Sequence, residues 1–568
     1  MDRLLNLVSA VALVVVASPL QAQGLVELAS RSTSGAPADG DSYRAAISGD
    51  GNVVAFVSAA SNLSAHPTAV GSRSVFVRDR ALGTSEMVAV TIDGSAPNQG
   101  SGNPSLSHDG RYVLFSSIAS NLVAQDANGQ VSDLFVRDRA LGTTVLASLT
   151  SQGTQSASTI HAGRISGDGN WIVFESAAAD IVPGDTNGVS DVFVRNLQTG
   201  AVERVSLRAD GTQALAESRD GSLSHDGSRV AFSSFDPLLP ADTDPWEDVY
   251  VLDRSTGVLV LASVGAGLGV GEATGPFLSA DGSTVAFSSW ANDLVPGDTN
   301  NQADVFWRDL VTATTGRASV RSTGAQLGTL SWHAAISGDG RIVGFWTTAE
   351  VVPGTPAGAY HLYTHDRVTG ATTLADAAPD ALPGDGWCEQ NIALSDDGRW
   401  VAFASDATNL VLGDLLGSDV FVRERASASP TSYCSAKVNS LGCTPQVSFS
   451  GAPSASSGAP FTLSATHVLG GQFGLLFYGL TPQNVPFQAG RRCVAPPIRR
   501  TALVAAGGTV GSCSGVLTFD FNALVASGLD ARLVVGAVVH AQFWYRDPAD
   551  PNGFGSGLSD AAVFAIQP

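Results

Sequence analysis

Four loops of this chain carry oxygen side chains at a spacing that suits a hard cation. They read Asp126-Ala127-Asn128-Gly129 then Asp133, Asp185-Thr186-Asn187-Gly188 then Asp191, Asp242-Thr243-Asp244 then Asp248, and Asp298-Thr299-Asn300-Asn301 then Asp304. Oxygens at alternate positions, with another soon after, match the first half of a calcium loop. Calcium gathers about six to eight oxygens from carboxylates, amides and carbonyls. The distal acid that would complete such a loop is absent. The same residues also build ordinary Asx turns ahead of an edge strand. Asp126, Asn128, Asp133, Asp185, Asn187, Asp191, Asp242, Asp244, Asp248, Asp298, Asn300 and Asp304 are therefore candidate calcium ligands, with a purely structural role as the competing reading. The matching segments Ser64-Ala65-His66-Pro67 and Gly354-Thr355-Pro356 lack the pattern, and a further one keeps only Asp414 and Asp419.

No catalytic motif stands beside these loops. Gly511-Ser512-Cys513-Ser514-Gly515 mimics a nucleophile elbow, but an alternating run, Val516–Phe521, follows where an elbow needs a helix. A disulfide role for Cys513 is expected instead. The nine His are scattered without paired metal spacing. His108 and His225 occupy a variable turn position and are expected to be exposed.

The loops recur because the whole chain recurs. An apolar residue, Ser, one variable residue and Asp-Gly appear seven times, with the Asp at 50, 109, 168, 226, 281, 339 and 397. The steps of 59, 59, 58, 55, 58 and 58 residues imply one supersecondary unit repeated and stacked on itself. In the third unit, strand-like runs cover His161–Ser166, Trp171–Ser176, Asp191–Arg195 and Ala201–Leu207. Asp-Gly is expected to join the first two as a tight hairpin, since Gly tolerates positive φ. Four antiparallel strands, seven times over, predict an all-β, seven-bladed β-propeller across residues 24–426.

The seventh unit lacks its outer strand, and a matching run, Gly24–Ser30, stands unpaired near the N-terminus. That run is expected to complete the last blade and close the ring, which removes an exposed edge. Connections alternate ends, so the acidic loops share a face with the blade linkers, opposite the Asp-Gly turns. Arg78, Arg137, Arg195, Arg308 and Arg423 follow the third strand and read as exposed ion pairs at strand ends.

Composition bounds the rest. Net charge is −21 over 568 residues, yet residues 430–568 hold seven basic against five acidic side chains. The acidity belongs to the repeats, and such a surface disfavours nucleic acid. Arg3, the apolar run Leu4–Val16 and Ala17–Ala22 read as a signal peptide over residues 1–22, with no membrane span after its removal. A periplasmic, cell-surface or extracellular monomer is expected. An Ala/Ser/Pro linker at 427–432 leads to a smaller β-sandwich at 433–568. Four of the five Cys lie there. In an oxidising compartment they suit two disulfides, with local pairing (Cys434 with Cys443, Cys493 with Cys513) favoured among three connectivities. Cys388 is left as a buried thiol.

Ile165-Ser166-Gly167-Asp168-Gly169-Asn170-Trp171-Ile172-Val173-Phe174, followed by Asp191-Val192-Phe193-Val194-Arg195, resembles the TolB-type propeller repeats of bacteria. The resemblance covers residues 24–426 and implies the propeller, not an activity. The usual Ser-Pro-Asp-Gly is altered at its second position, the units are longer, and TolB's separate N-terminal domain has no counterpart. Tyr433–Pro445 resembles the start of C-terminal modules of other secreted bacterial repeat proteins. The expected function is an exported, non-enzymatic scaffold presenting its acidic face to a protein or cell-envelope ligand, with calcium as the one cofactor in view. The alternative is a secreted glycosidase, lyase or lactonase with carboxylates in the central channel.

Overall fold

The computed structural model describes residues 26–66, 72–124, 126–160, 162–265, 271–352, 355, 358–378, 382–411, 417–425, 431–455, 458–480, 482–533 and 537–566. The signal-peptide reading, Asp414 and most of the linker lie outside them. Seven four-stranded antiparallel sheets form blades 1 to 7. Blade 1 runs from its inner strand Ser42–Ile47 through Val53–Ser58 and Ser74–Asp79 to Thr84–Met87. Blade 7 holds Cys388–Leu394, Trp400–Ser405 and Asp419–Glu424, and its fourth strand is Val26–Leu28. Val26 pairs with Arg423 and Leu28 with Phe421. The ring is closed by the chain's own first strand.

The two middle strands of a blade are buried on both sides, so they read as almost unbroken apolar runs such as Val53-Val54-Ala55-Phe56-Val57. One face of each pair carries two facing aromatics: Phe56 and Phe76, Phe115 and Phe135, Phe174 and Phe193, Phe232 and Tyr250, and so on to Phe403 and Phe421, with centroids 5.7–6.2 Å apart. The other face carries small residues. Phe115 and Phe135 pack on Val53, Ala55, Val57, Val75 and Val77 of the preceding blade. Large against small is how neighbouring sheets interlock at native density.

Each Asp-Gly phrase joins the first two strands as a hairpin, as expected, through a five-residue connection such as 48–52 in blade 1. In blade 1 the Gly51 N–H closes it onto the Ser48 carbonyl at 2.9 Å. Gly51 has φ +76°, and the six equivalent glycines lie between +63° and +73°. The Ser48 hydroxyl donates to Asp50 Oδ1 (2.7 Å) and accepts the Val53 N–H (2.9 Å). These bonds hold the turn shape and explain why Ser and Asp recur together.

The variable residue of each phrase joins the blades. Gly49 donates its N–H to His108, His108 to Gly167, Asp168 to His225, His225 to Ala280, Ala280 to Gly338, Asp339 to Asp396, and Asp396 back to Gly49, all to carbonyls at 2.7–2.9 Å. Seven turns thus form a closed hydrogen-bonded circle around one end of the channel.

Arg78, Arg195 and Arg423 are buried, contrary to the strand-end expectation. They reach carbonyls of the preceding blade's outgoing linker, and Arg78 and Arg195 also donate to a carbonyl of their own hairpin. Arg195 donates to Leu149 O (3.0 Å), Thr150 O (3.3 Å) and Gly200 O (3.0 Å), and Arg308 to Val264 O (2.8 Å). Burial pushes Arg423 down to about 9. They are inter-blade staples.

The C-terminal region forms a six-stranded sheet, a three-stranded sheet (Gln446–Ser450, Thr462–Val468, Gly515–Asp520) and a hairpin. Leu463 and Leu517 from one sheet share a core with Leu476, Val539 and Phe543 from the other. Its disulfides join Cys434 to Cys493 and Cys443 to Cys513, which corrects the local pairing. The Asn439–Cys443 turn carries Cys443 away from Cys434 and beside Cys513. Bridges spanning 59 and 70 residues each remove about 4 kcal/mol of chain freedom from the unfolded state. Cys513 is thereby not a nucleophile. Cys388 is free and buried.

Candidate functional site at the open face of the channel

The acidic loops and the starts of the inner strands share one face. Ser101 N–H donates to Arg73 O of the preceding blade (2.9 Å), Ser218 to Ser190 O and Ser331 to Ala303 O (both 2.8 Å). In blade 2, Asp133 accepts from Ser148 (2.9 Å), Asn128 (2.9 Å) and Gln155 (2.7 Å), and Gln155 also donates to Asp126 (3.0 Å). In blade 3, Asp191 accepts from Asn187 (2.9 Å) and Arg204 (3.0 Å), and Arg204 lies 3.4 Å from Asp185. Blade 5 repeats this with Asn300, Arg317, Asp304 and Asp298. The Asn amides reach on to carbonyls of the next linker, such as Ala214 O at 2.9 Å. In these three blades the carboxylates are partnered by amide or guanidinium donors.

Blade 4 differs. Leu261 stands where blades 3 and 5 have Arg, and the ligand oxygens of Asp242, Asp244 and Asp248 converge within 4.8 Å. Burial, aided by the charges of Asp242 and Asp244 and opposed by the Ser263 hydroxyl, pushes Asp248 up to about 8. This donor set fits a calcium ion. Blade 6 reverses the motif, with His361 Nδ1 2.6 Å from Asp376.

The channel itself holds the site that the sequence reading missed. Six inner strands shift register partway along, as between Tyr43 and Ala46. At five of these bulges the third residue turns left-handed: Arg44 (+53°), Asn103 (+50°), Asp220 (+58°), Gly275 (+63°) and His333 (+55°). Non-glycine residues held there cost roughly 1–3 kcal/mol each, which concentrates at functional sites. The freed amides take carboxylates: Arg44 N–H donates to Glu389 (2.8 Å) and Asp220 N–H to Glu175 (2.9 Å). A cavity of about 710 Å³ results, lined among others by Arg44, Asn103, Arg164, His333, Glu389 and Asn391, with Trp387 at its edge. Trp332 and Arg219 line an adjoining cavity of about 370 Å³.

Arg164 stands out electrostatically. Its guanidinium stacks on Phe277 at 3.6 Å, and burial pushes it down to about 10. Among the described residues no carboxylate pairs with it and no acceptor takes its N–H groups. A sequence signal did exist: four residues before the signature Ser stands Arg44, Asn103, Asp220, Gly275, His333 or Asn391, a polar residue or Gly in six of the seven repeats.

No family profile and no curated protein matches the chain. Its structure is distantly similar to solved β-propeller proteins. TolB from Acinetobacter baumannii is 15% identical with a TM-score of 0.31, covering 52% of this chain and 59% of that one, so the match spans little over half of TolB's length. An oligogalacturonate lyase from Vibrio parahaemolyticus is 13% identical with a TM-score of 0.42, covering 71% and 98%. A puromycin-hydrolyzing peptidase from Mycobacterium tuberculosis is 15% identical with a TM-score of 0.41, covering 78% and 60%.

Proposed function

We propose that this is an exported, non-enzymatic binding propeller of the TolB-like kind. It engages a protein or cell-envelope ligand on its loop face, centred on the channel. The observation that carries this reading is Arg164, a stacked guanidinium with no carboxylate in ion-pair contact among the described residues, its nearest charges being those of Asp220 and Glu175, facing a cavity edged by tryptophan. A planar fork of N–H donors in such a setting suits a carboxylate or another acidic group of the partner. Binding is preferred to hydrolysis because Glu175 and Glu389, two carboxylates that would serve an enzyme, are already spent on bulge amides. Disulfides in the C-terminal region support an oxidising destination. Calcium stabilisation is proposed for blade 4 alone, where among the described residues no arginine, Asn or Gln side chain donates to the acids; a chelator should lower the melting temperature of the native chain but not of Asp248→Asn.

The test is a tryptophan-fluorescence titration with acidic oligosaccharides and acidic peptides. Saturable quenching that Arg164→Ala abolishes, with the melting temperature unchanged, is expected. Binding equal in Arg164→Ala and the native chain would overturn the reading.

A further inference from the structure

The opposite end of the channel carries a different chemistry, independent of the binding reading. Around the hydrogen-bonded circle the variable residues run Gly49, His108, Gly167, His225, Ala280, Gly338 and Asp396. The three functional side chains each lean over the glycine of the preceding blade. A Cβ on Gly49 would lie 2.0 Å from His108 Nδ1, one on Gly167 2.2 Å from His225 Nδ1, and one on Gly338 2.5 Å from Asp396 Cγ. Glycine is required at those positions to make room. The result is a contiguous trio drawn from blades 7, 2 and 4. His108 Nδ1 sits 2.5 Å from Asp396 Oδ2, and the His108 and His225 rings meet edge to face at 5.2 Å.

We propose that His108, His225 and Asp396 bind one zinc-like transition-metal ion at this end of the channel. Two imidazoles and a carboxylate are a ligand set for Zn²⁺, Ni²⁺ or Co²⁺, and three protein ligands leave a position open to water. Tetrahedral bonds of about 2.0–2.1 Å place ligand atoms about 3.3 Å apart. His108 and Asp396 therefore spread by under an ångström, and His225 swings toward them over Gly167. The side chains of His108 and Asp396 are 44% and 38% exposed, so an ion reaches them from solution. The seven signature aspartates around the circle add a field that favours a cation. On binding as a tetrahedral site, the six-coordinate aqua ion keeps one water and sheds five. With Nδ1 as the metal ligand, the His108 ring carries its N–H on Nε2, and Asp396 exchanges its contact with His108 for a metal bond.

The test is calorimetric titration of Zn²⁺ into the full chain, purified without a histidine tag, in excess Ca²⁺ to fill any all-oxygen site. One equivalent of Zn²⁺ is expected, with Co²⁺ giving tetrahedral absorption bands. His225→Ala removes a ligand while keeping the His108–Asp396 pair and should weaken uptake at least about tenfold. Asp396→Asn preserves shape and should weaken it comparably. Circular dichroism confirms that both variants fold. Absence of Zn²⁺ uptake, or uptake unchanged in both variants, would overturn the assignment.

Discussion

The two ends of the channel are built from the same seven inner strands and behave as opposites. At the closed end the backbone is regular: every turn has the same Ser, Asp and positive-φ Gly, and the amides join in a circle. At the open end the strands bulge, four non-glycine residues are held left-handed, and two of the freed amides take side-chain carboxylates of the neighbouring blade rather than its backbone carbonyls. A repeat keeps its hydrogen bonds paired where it is scaffold, and gives them up where side chains must be aimed inward.

Removing the strand 26–30 tests whether the closed end depends on ring closure, and carries the largest expected effect. Ser30 donates to Asp419 at 2.5 Å, and Leu28 lies in a shared core with Phe421 and Trp346. Its loss should cost several kcal/mol and free the Asp396–Gly49 amide, read as lost hydrogen-exchange protection at Asp396. A truncated chain with native stability and protection would break the link. Next comes Gly49→Val. It pushes a side chain into His108 and Asp396 and should cost about 1–3 kcal/mol in denaturant unfolding; an unchanged midpoint would show that the closed end has slack.

Acid separates the ends less strongly. Burial pushes Asp50, Asp226 and Asp281 up, but hydroxyl and amide donors of their own turns outweigh it and hold each below 3.8. A depressed carboxyl contributes stability that is present above its unfolded value and lost as pH falls through the folded one. Melting temperature should therefore decline below about pH 4, and the triple Asn variant should decline less; identical curves would remove the turns from the account. The smallest effect has the opposite sign. Asn103→Gly relieves a left-handed residue at the open end and should stabilise by a few tenths to about 1 kcal/mol, whereas a loss of stability would mean that Asn103 is held by its contacts.

The sequence made the scaffold legible because its rules are short-range. Ser-x-Asp-Gly, the apolar middle strands and the spare run at 24–30 all declare themselves within a few residues. What it hid depends on neighbours. Arg195 looks like a strand-end charge until the preceding blade offers it two carbonyls and its own hairpin a third. His108 looks like a loose turn residue until Gly49 beside it proves to be the space it fills. Cys434 and Cys443 sit nine residues apart, yet each finds a partner about sixty to seventy residues on. The acidic loops are legible as a pattern, but what separates the blade 4 loop from the others is the loss of donors: Asp244 replaces the Asn of the other three, and Leu261 replaces Arg204 and Arg317 a strand away.

Closure by the first strand also sets an order of events. Val26 and Arg423 meet only after nearly four hundred intervening residues exist, and Ser30 reaches its partner 389 positions away. A chain emerging from the ribosome carries its opening strand unpaired until blade 7 is made. Six blades must hold as an open arc before the seventh admits that strand. The final step is then a long-range loop closure, slow by topology and all-or-none in outcome. A single early segment of a few residues thus times the completion of the whole ring.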